Sequence, residues 1–218
     1  MSENSADNPV RLNGNAAIDQ AAHQAEFTSG RNILDTHHID GLEGIPHPEE
    51  TANLRLGPNL HDGLLALLPL VGVWRGEGQA AVRTSGDEVT EYAFGEELVI
   101  SHNGENYLSF HSRTWKLDAE GNYAGPDTNE SGFWRISLDD EIEVVAARAD
   151  GMTEIFYGEP LNERAWQLQS ASTMVTATGP AHVGAGKRMY GLMPNGHLGW
   201  VDERDNVQRS AELTRVVG

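Results

Sequence analysis

The chain contains no cysteine. That excludes a disulfide framework, a thiolate metal site and a cysteine nucleophile. No apolar run approaches the roughly 18 residues that a membrane span requires. The first residues, Met1 to Pro9, lack the basic and apolar regions of a secretory leader. Basic residues are scarce: 15 Lys and Arg stand against 33 Asp and Glu, for a net charge of -18. Nucleic-acid backbones and acidic membrane surfaces repel such a chain, and no Lys/Arg cluster offsets the repulsion. Neither nucleic acid nor membrane is therefore an expected partner. The acidity reads as solubility, and a cytoplasmic location is expected. No phosphate loop, Rossmann fingerprint or Gly-x-Ser-x-Gly is present.

What is present divides in two. The length, 218 residues, suits one ordinary domain plus an extension. Residues 1–58 are rich in Asn, Asp, Glu, Gly and Ala and show no sustained apolar period. They read as a disordered acidic tail, because they cannot bury enough surface to offset the entropy of ordering. Residues 59–218 read as the folded domain. Asn59 is placed to cap a short helix with Leu60, Leu64, Leu67, Leu68 and Val71 along one face, ended by Pro69 and Gly72. Such a helix suits a lid or plug.

From Trp74 the text turns to strands and tight turns. Strands are expected over 91–100, 107–117, 133–138, 141–147, 153–157, 164–170, 173–178, 187–193 and 197–202. Asn103-Gly104 and Pro194-Asn195-Gly196 mark hairpins. About ten short strands without long intervening helices predict an all-β fold. A single antiparallel up-and-down barrel is favoured over a sandwich, because closure removes exposed edges.

The densest motif is Gly72-Val73-Trp74-Arg75-Gly76-Glu77-Gly78. Here a Trp can plug the closed end of a barrel, while Gly72, Gly76 and Gly78 permit close backbone approach. At this motif the chain resembles the nitrobindin family. The likeness continues through Leu67-Leu68-Pro69-Leu70, Tyr92 to His102, Arg113 to Leu117, Glu130 to Arg135, Glu143 to Ala146, Gly151 to Glu154 and Ser210 to Arg215. The resemblance implies a ten-stranded barrel shaped like a fatty-acid-binding protein. It also implies ferric haem b near the barrel mouth, nitric oxide binding and, in some members, isomerisation of peroxynitrite to nitrate. One histidine near the C-terminus would hold the iron, in a segment reading about Leu-x-x-His-Leu-x-Ala-x-Leu.

The chain departs there. Alignment of Ser210-Ala211-Glu212-Leu213 puts Gln208 where that histidine belongs. An imidazole nitrogen binds ferric haem iron well, whereas an amide offers only a carbonyl oxygen. Haem b is therefore not expected to be held as in the family. The leading expectation is a non-enzymatic barrel binding a small apolar or flat ligand. The alternative is a ferric haem protein acting on nitric oxide or peroxynitrite through His197, His182 or His102. A lipocalin-like carrier without a haem history is a third reading. By the same resemblance Thr84 falls beside the haem, though it also reads as a turn residue. His102 falls either on the open side of a haem or in a cap on the Asn103-Gly104 turn. His111 reads as a wall residue. Asp35, His37, His38 and Asp40 form a compact donor cluster, but in a tail no metal site is expected of them. Glu96 and Glu97, as strand neighbours, should face opposite sides and not act as an acid pair.

Overall fold

The computed structural model describes residues 49–83, 88–139, 141–181 and 183–218. The expected donor cluster at 35–40, Thr84 and His182 lie outside the described residues. Residues 49–58, read as tail, instead pack on the domain. Thr51 exchanges two backbone hydrogen bonds with His102, at 2.8 and 2.9 Å, and the Glu50 carboxylate accepts from Ser101 and Ser109.

Ten strands follow a 3-10 helix at Asp62–Leu70. They are β1 Gly72–Arg83, β2 Val89–Ser101, β3 Leu108–Leu117, β4 Tyr123–Ile136, β5 Ile142–Arg148, β6 Met152–Asn162, β7 Ala165–Val175, β8 Lys187–Leu192, β9 Leu198–Arg204 and β10 Val207–Val217. Each pairs antiparallel with its neighbours, and β1 pairs with β10, so the sheet is a closed barrel without an edge strand. Among the described residues no helix is long and apolar enough to cross a membrane.

The helix differs from its expected form. His61 caps it, not Asn59, with Nδ1 accepting from the Gly63 amide at 3.0 Å. Its geometry is 3-10, so residues three apart stack on one side. Leu64, Leu67 and Leu70 are the fully buried set, and Leu68 is only half-buried. Pro69 sits inside the last turn instead of ending it. The helix plugs one end of the barrel. Trp74 Nε1 donates to the Leu70 carbonyl and Trp166 Nε1 to the Ala66 carbonyl, each at 2.9 Å. Arg215 stacks 4.2 Å over the Trp74 ring and donates to the Val71 and Pro69 carbonyls at 2.6 Å.

The motif glycines let β1 approach its neighbours. A Cβ on Gly76 would lie 2.1 Å from the Glu212 carbonyl oxygen. One on Gly78 would meet the Ser210 oxygen at 2.3 Å and the Phe94 ring at 2.4 Å.

Two β-bulges account for two of the missed boundaries, while β10 has no counterpart among the expected strands and β6 runs past the expected 157 to Asn162. Expected strands 164–170 and 173–178 are one strand, β7, bulged where Ile155 pairs with Ser172 but Phe156 with Ser170. β4 begins ten residues before the expected 133, through the turn-like text Gly125-Pro126-Asp127. Arg113 pairs with Asn129 and Trp115 with Pro126, so Asp127 and Thr128 together oppose Thr114. A bulge of this kind re-aims side chains, and both Asp127 and Thr128 line the interior.

Candidate functional site

The half of the barrel near the helix is a dry apolar core of Trp74, Trp166, Leu108, Ile142, Leu168, Leu198 and Leu213. The other half encloses a cavity of about 280 Å³. Its walls are charged. Arg188 makes a two-pronged contact with Glu130, at 2.6 and 2.8 Å, and its Nε reaches Asp202 at 3.0 Å. Arg204 does the same with Glu154, at 3.0 and 2.7 Å, and also meets Asp202. Arg209 donates to Asp127 at 2.6 Å, to Thr114 and to Thr128, and lies 4.4 Å over the Phe94 ring. Arg188 sits 4.6 Å over Phe156. Charge-assisted forks of this kind are the strong members of a hydrogen-bond network. Burial disfavours the Asp202 carboxylate, but Arg188 and Arg204 outweigh it and hold the group below the usual carboxylate range.

Glu96 behaves differently. As expected, it and Glu97 face opposite sides. Glu97 is on the outer wall, held low by a hydrogen bond from Arg113, with a further pair from Arg75. Glu96 is inside, accepting from Ser112 Oγ at 2.8 Å and Trp200 Nε1 at 2.6 Å. Burial pushes its carboxyl up to about 7, against the opposing pull of Ser112, Trp200 and Arg209. The folded state therefore holds this proton more tightly than the unfolded chain does. Its stabilising contribution is fully present below about 4.5 and is lost as pH rises through about 7. Denaturant unfolding at a series of pH values should show stability falling by about 3 kcal/mol across that window. Glu96→Gln, a fixed neutral mimic, should flatten that part of the profile; an unchanged slope would contradict the assignment.

The structure scatters the residues singled out in the sequence. Gly72, Trp74, Gly76 and Gly78 do build the close-packed wall and plug. His102 is fully buried at the helix-plugged end, beneath Thr51, with neither ring nitrogen hydrogen-bonded; burial holds its pKa low. Neither of its expected positions holds: it does not line the cavity, and Asn103, not His102, caps the turn by accepting from the Glu105 amide. Gln208 lies at the opposite end, in the outward-facing phase of β10, and is exposed. Its strand neighbours Val207 and Arg209 line the cavity instead. His111 is on the outer wall against Ser131, and His197 is outside against Glu212, each through Nδ1.

A haem does not fit this lining. Among the described residues no histidine faces the cavity. Its two tyrosines are poor phenolate ligands: burial raises Tyr190 far above its ordinary value, and burial together with Asp127 raises Tyr92. The inward position next to Gln208 in the chain is held by Arg209, which donates to Asp127 and Thr114.

Sequence reasoning missed the network of Asp127, Glu130, Glu154, Arg188, Asp202, Arg204 and Arg209. A signal was there: these charges share the phase of core residues. In β9 Leu198, Trp200, Asp202 and Arg204 alternate inward, and in β10 Val207, Arg209, Ala211 and Leu213 do. A charge in phase with the core reads as a slip until its partners are known.

Comparison with known proteins agrees with this architecture. The model of a family described as a THAP4-like, heme-binding beta-barrel domain matches residues 63–216. A ferric nitrobindin-like protein of Corynebacterium efficiens is 58% identical over 98% of this chain and 89% of the relative. A peroxynitrite isomerase 2 of Rhodococcus jostii is 43% identical over 95% of this chain and 99% of the relative. The crystal structure of Rv2717c from M. tuberculosis superposes with a TM-score of 0.60 at 26% identity, covering 72% of this chain and 99% of that one.

Proposed function

The chain belongs to the nitrobindin family of haem-binding β-barrels, and we propose that within it this protein has given up iron ligation and serves as a non-enzymatic ligand-binding barrel. One observation carries the reading. By the resemblance, the family's histidine position falls at Gln208; its side chain is exposed on the outer wall, while the inward position beside it holds Arg209 in an ion pair with Asp127. Haem iron needs a strong axial donor aimed into the pocket. Here that volume holds a guanidinium, which has no lone pair to donate, and a carboxylate already committed to it. The ligand-holding interior consequently has a different chemistry from that of a porphyrin site.

A hemin titration followed by visible absorption tests this. The parent should show no sharp Soret band at one equivalent. Gln208→His should show none either, because the new imidazole would point to solvent unless β10 slipped by one residue, and such a slip would turn Ala211 and Leu213 out of the core. A stoichiometric band in the parent would overturn the reading and favour the alternative of a ferric haem protein that handles nitric oxide or peroxynitrite.

A further inference from the structure

The arginines that line the cavity are each paired with a carboxylate, but one lining carboxylate has no such partner. Arg188 is matched to Glu130 and Asp202, Arg204 to Glu154 and Asp202, Arg209 to Asp127 and Arg148 to Asp150. Glu96 is left over. It is 2% exposed, its two oxygens are held only by the neutral donors Ser112 and Trp200, and no ion pair joins it to a cationic side chain among the described residues. A lone carboxylate in such a place is costly. It either takes a proton or takes a cation.

The walls favour a cation. Trp134, Tyr190, Trp200 and Phe110 line the same cavity as Glu96, and Trp134 and Tyr190 brace one another edge to face at 5.2 Å. Aromatic faces attract ammonium groups, most strongly where water is excluded. An anion would fare worse. The Nε groups of Arg148 and Arg209 lack acceptors, but both guanidiniums already carry carboxylates, so an anion there would sit beside Asp127, Glu130 and Glu96. The volume is near the low end for ligand pockets, which run from roughly 300 to 1,000 Å³, so the ligand must be small.

We propose that the cavity binds a small organic cation, an amine or quaternary ammonium group, seated against Glu96 among Trp134, Tyr190 and Trp200. The proposal rests on the reading of the barrel as a haem-free binding module. It names the charge that the ligand must bring. The titratable and charged groups that share the cavity with Glu96 are Tyr92 on β2, Asp127 and Glu130 on β4, Arg148 on β5, Arg188 and Tyr190 on β8, Asp202 and Arg204 on β9 and Arg209 on β10; Ser112 on β3 and Trp200 on β9 donate to it. Of these, Arg209 favours the ionised form and Glu130 opposes it.

The test is a titration of the full chain with choline and with butylammonium, with acetate as the anionic control. It is followed by calorimetry and by the Trp200 indole N–H resonance, assigned with Trp200→Phe. Saturable binding of at least one cation should shift that resonance. Affinity should fall about tenfold from pH 8 to pH 6, because the ionised fraction of a group titrating near 7 falls by that factor. Glu96→Gln should abolish binding with an unchanged circular dichroism spectrum, whereas Glu97→Gln, on the outer wall, should leave it intact. No saturable cation binding at pH 8, equal binding by Glu96→Gln, or acetate bound in place of the cations would each overturn the proposal. Hemin added to the same sample separates the two claims: a Soret band sinks the haem-free reading, while its absence together with absent cation binding sinks only this one.

Discussion

Arg188→Met should destabilise the barrel by roughly 3–5 kcal/mol in denaturant unfolding, among the largest effects of any single substitution outside the apolar core. The arginine is 8% exposed at its side chain and satisfies two carboxylates, Glu130 and Asp202. Methionine replaces the apolar stem of the arginine but leaves both acids buried without their shared counter-ion. They must then be protonated or hydrated, and Asp202 loses one of the two guanidiniums that hold its pKa low. The loss should shrink at acid pH, where protonated carboxyls no longer need the cation. Arg135→Met, on the exposed pair with Glu143, should cost less than about 1 kcal/mol. Similar losses for the two variants would mean that the interior network is solvated and not a buried structural unit.

Trp74→Ala should cost a comparable 3–5 kcal/mol. The indole is fully buried where β1 meets the helix plug. Its removal leaves a cavity, orphans the Leu70 carbonyl and deprives Arg215 of its ring. Of a domain stability usually near 5–15 kcal/mol, this is a large share. The helix should loosen before the sheet does, so protease cleavage within Asp62–Leu70 should precede global unfolding. Simultaneous loss of helix and sheet would show that the plug is not a separable unit.

The fold was legible because the barrel obeys local rules over most of its length. Strand alternation, Asn103-Gly104 and Asn195-Gly196 marked most elements, and Gly-x-Trp marked the plugged end. Legibility failed where one residue breaks the period. At the β4 bulge, Asp127 and Thr128 both turn inward, so the text over 123–129 lacks alternation and reads as loop. At the helix, a three-residue period shifted the buried face from Leu68 to Leu70. Gln208 was singled out by the resemblance alone, and its outward direction depends on the tight β9–β10 hairpin that sets the phase of β10. The network was illegible for a further reason. Arg188 and Glu130 are 58 residues apart, and Arg204 and Glu154 50, so each appears as an isolated charge until closure brings the strands together.

The most direct test of the central claim is the haem content of the full chain purified from cells supplied with excess haem precursor, measured by pyridine hemochromogen absorbance beside a family member that has the C-terminal histidine. The barrel described above predicts haem in the control and no stoichiometric haem in this chain. One haem per chain, with a sharp Soret band surviving gel filtration, would contradict it.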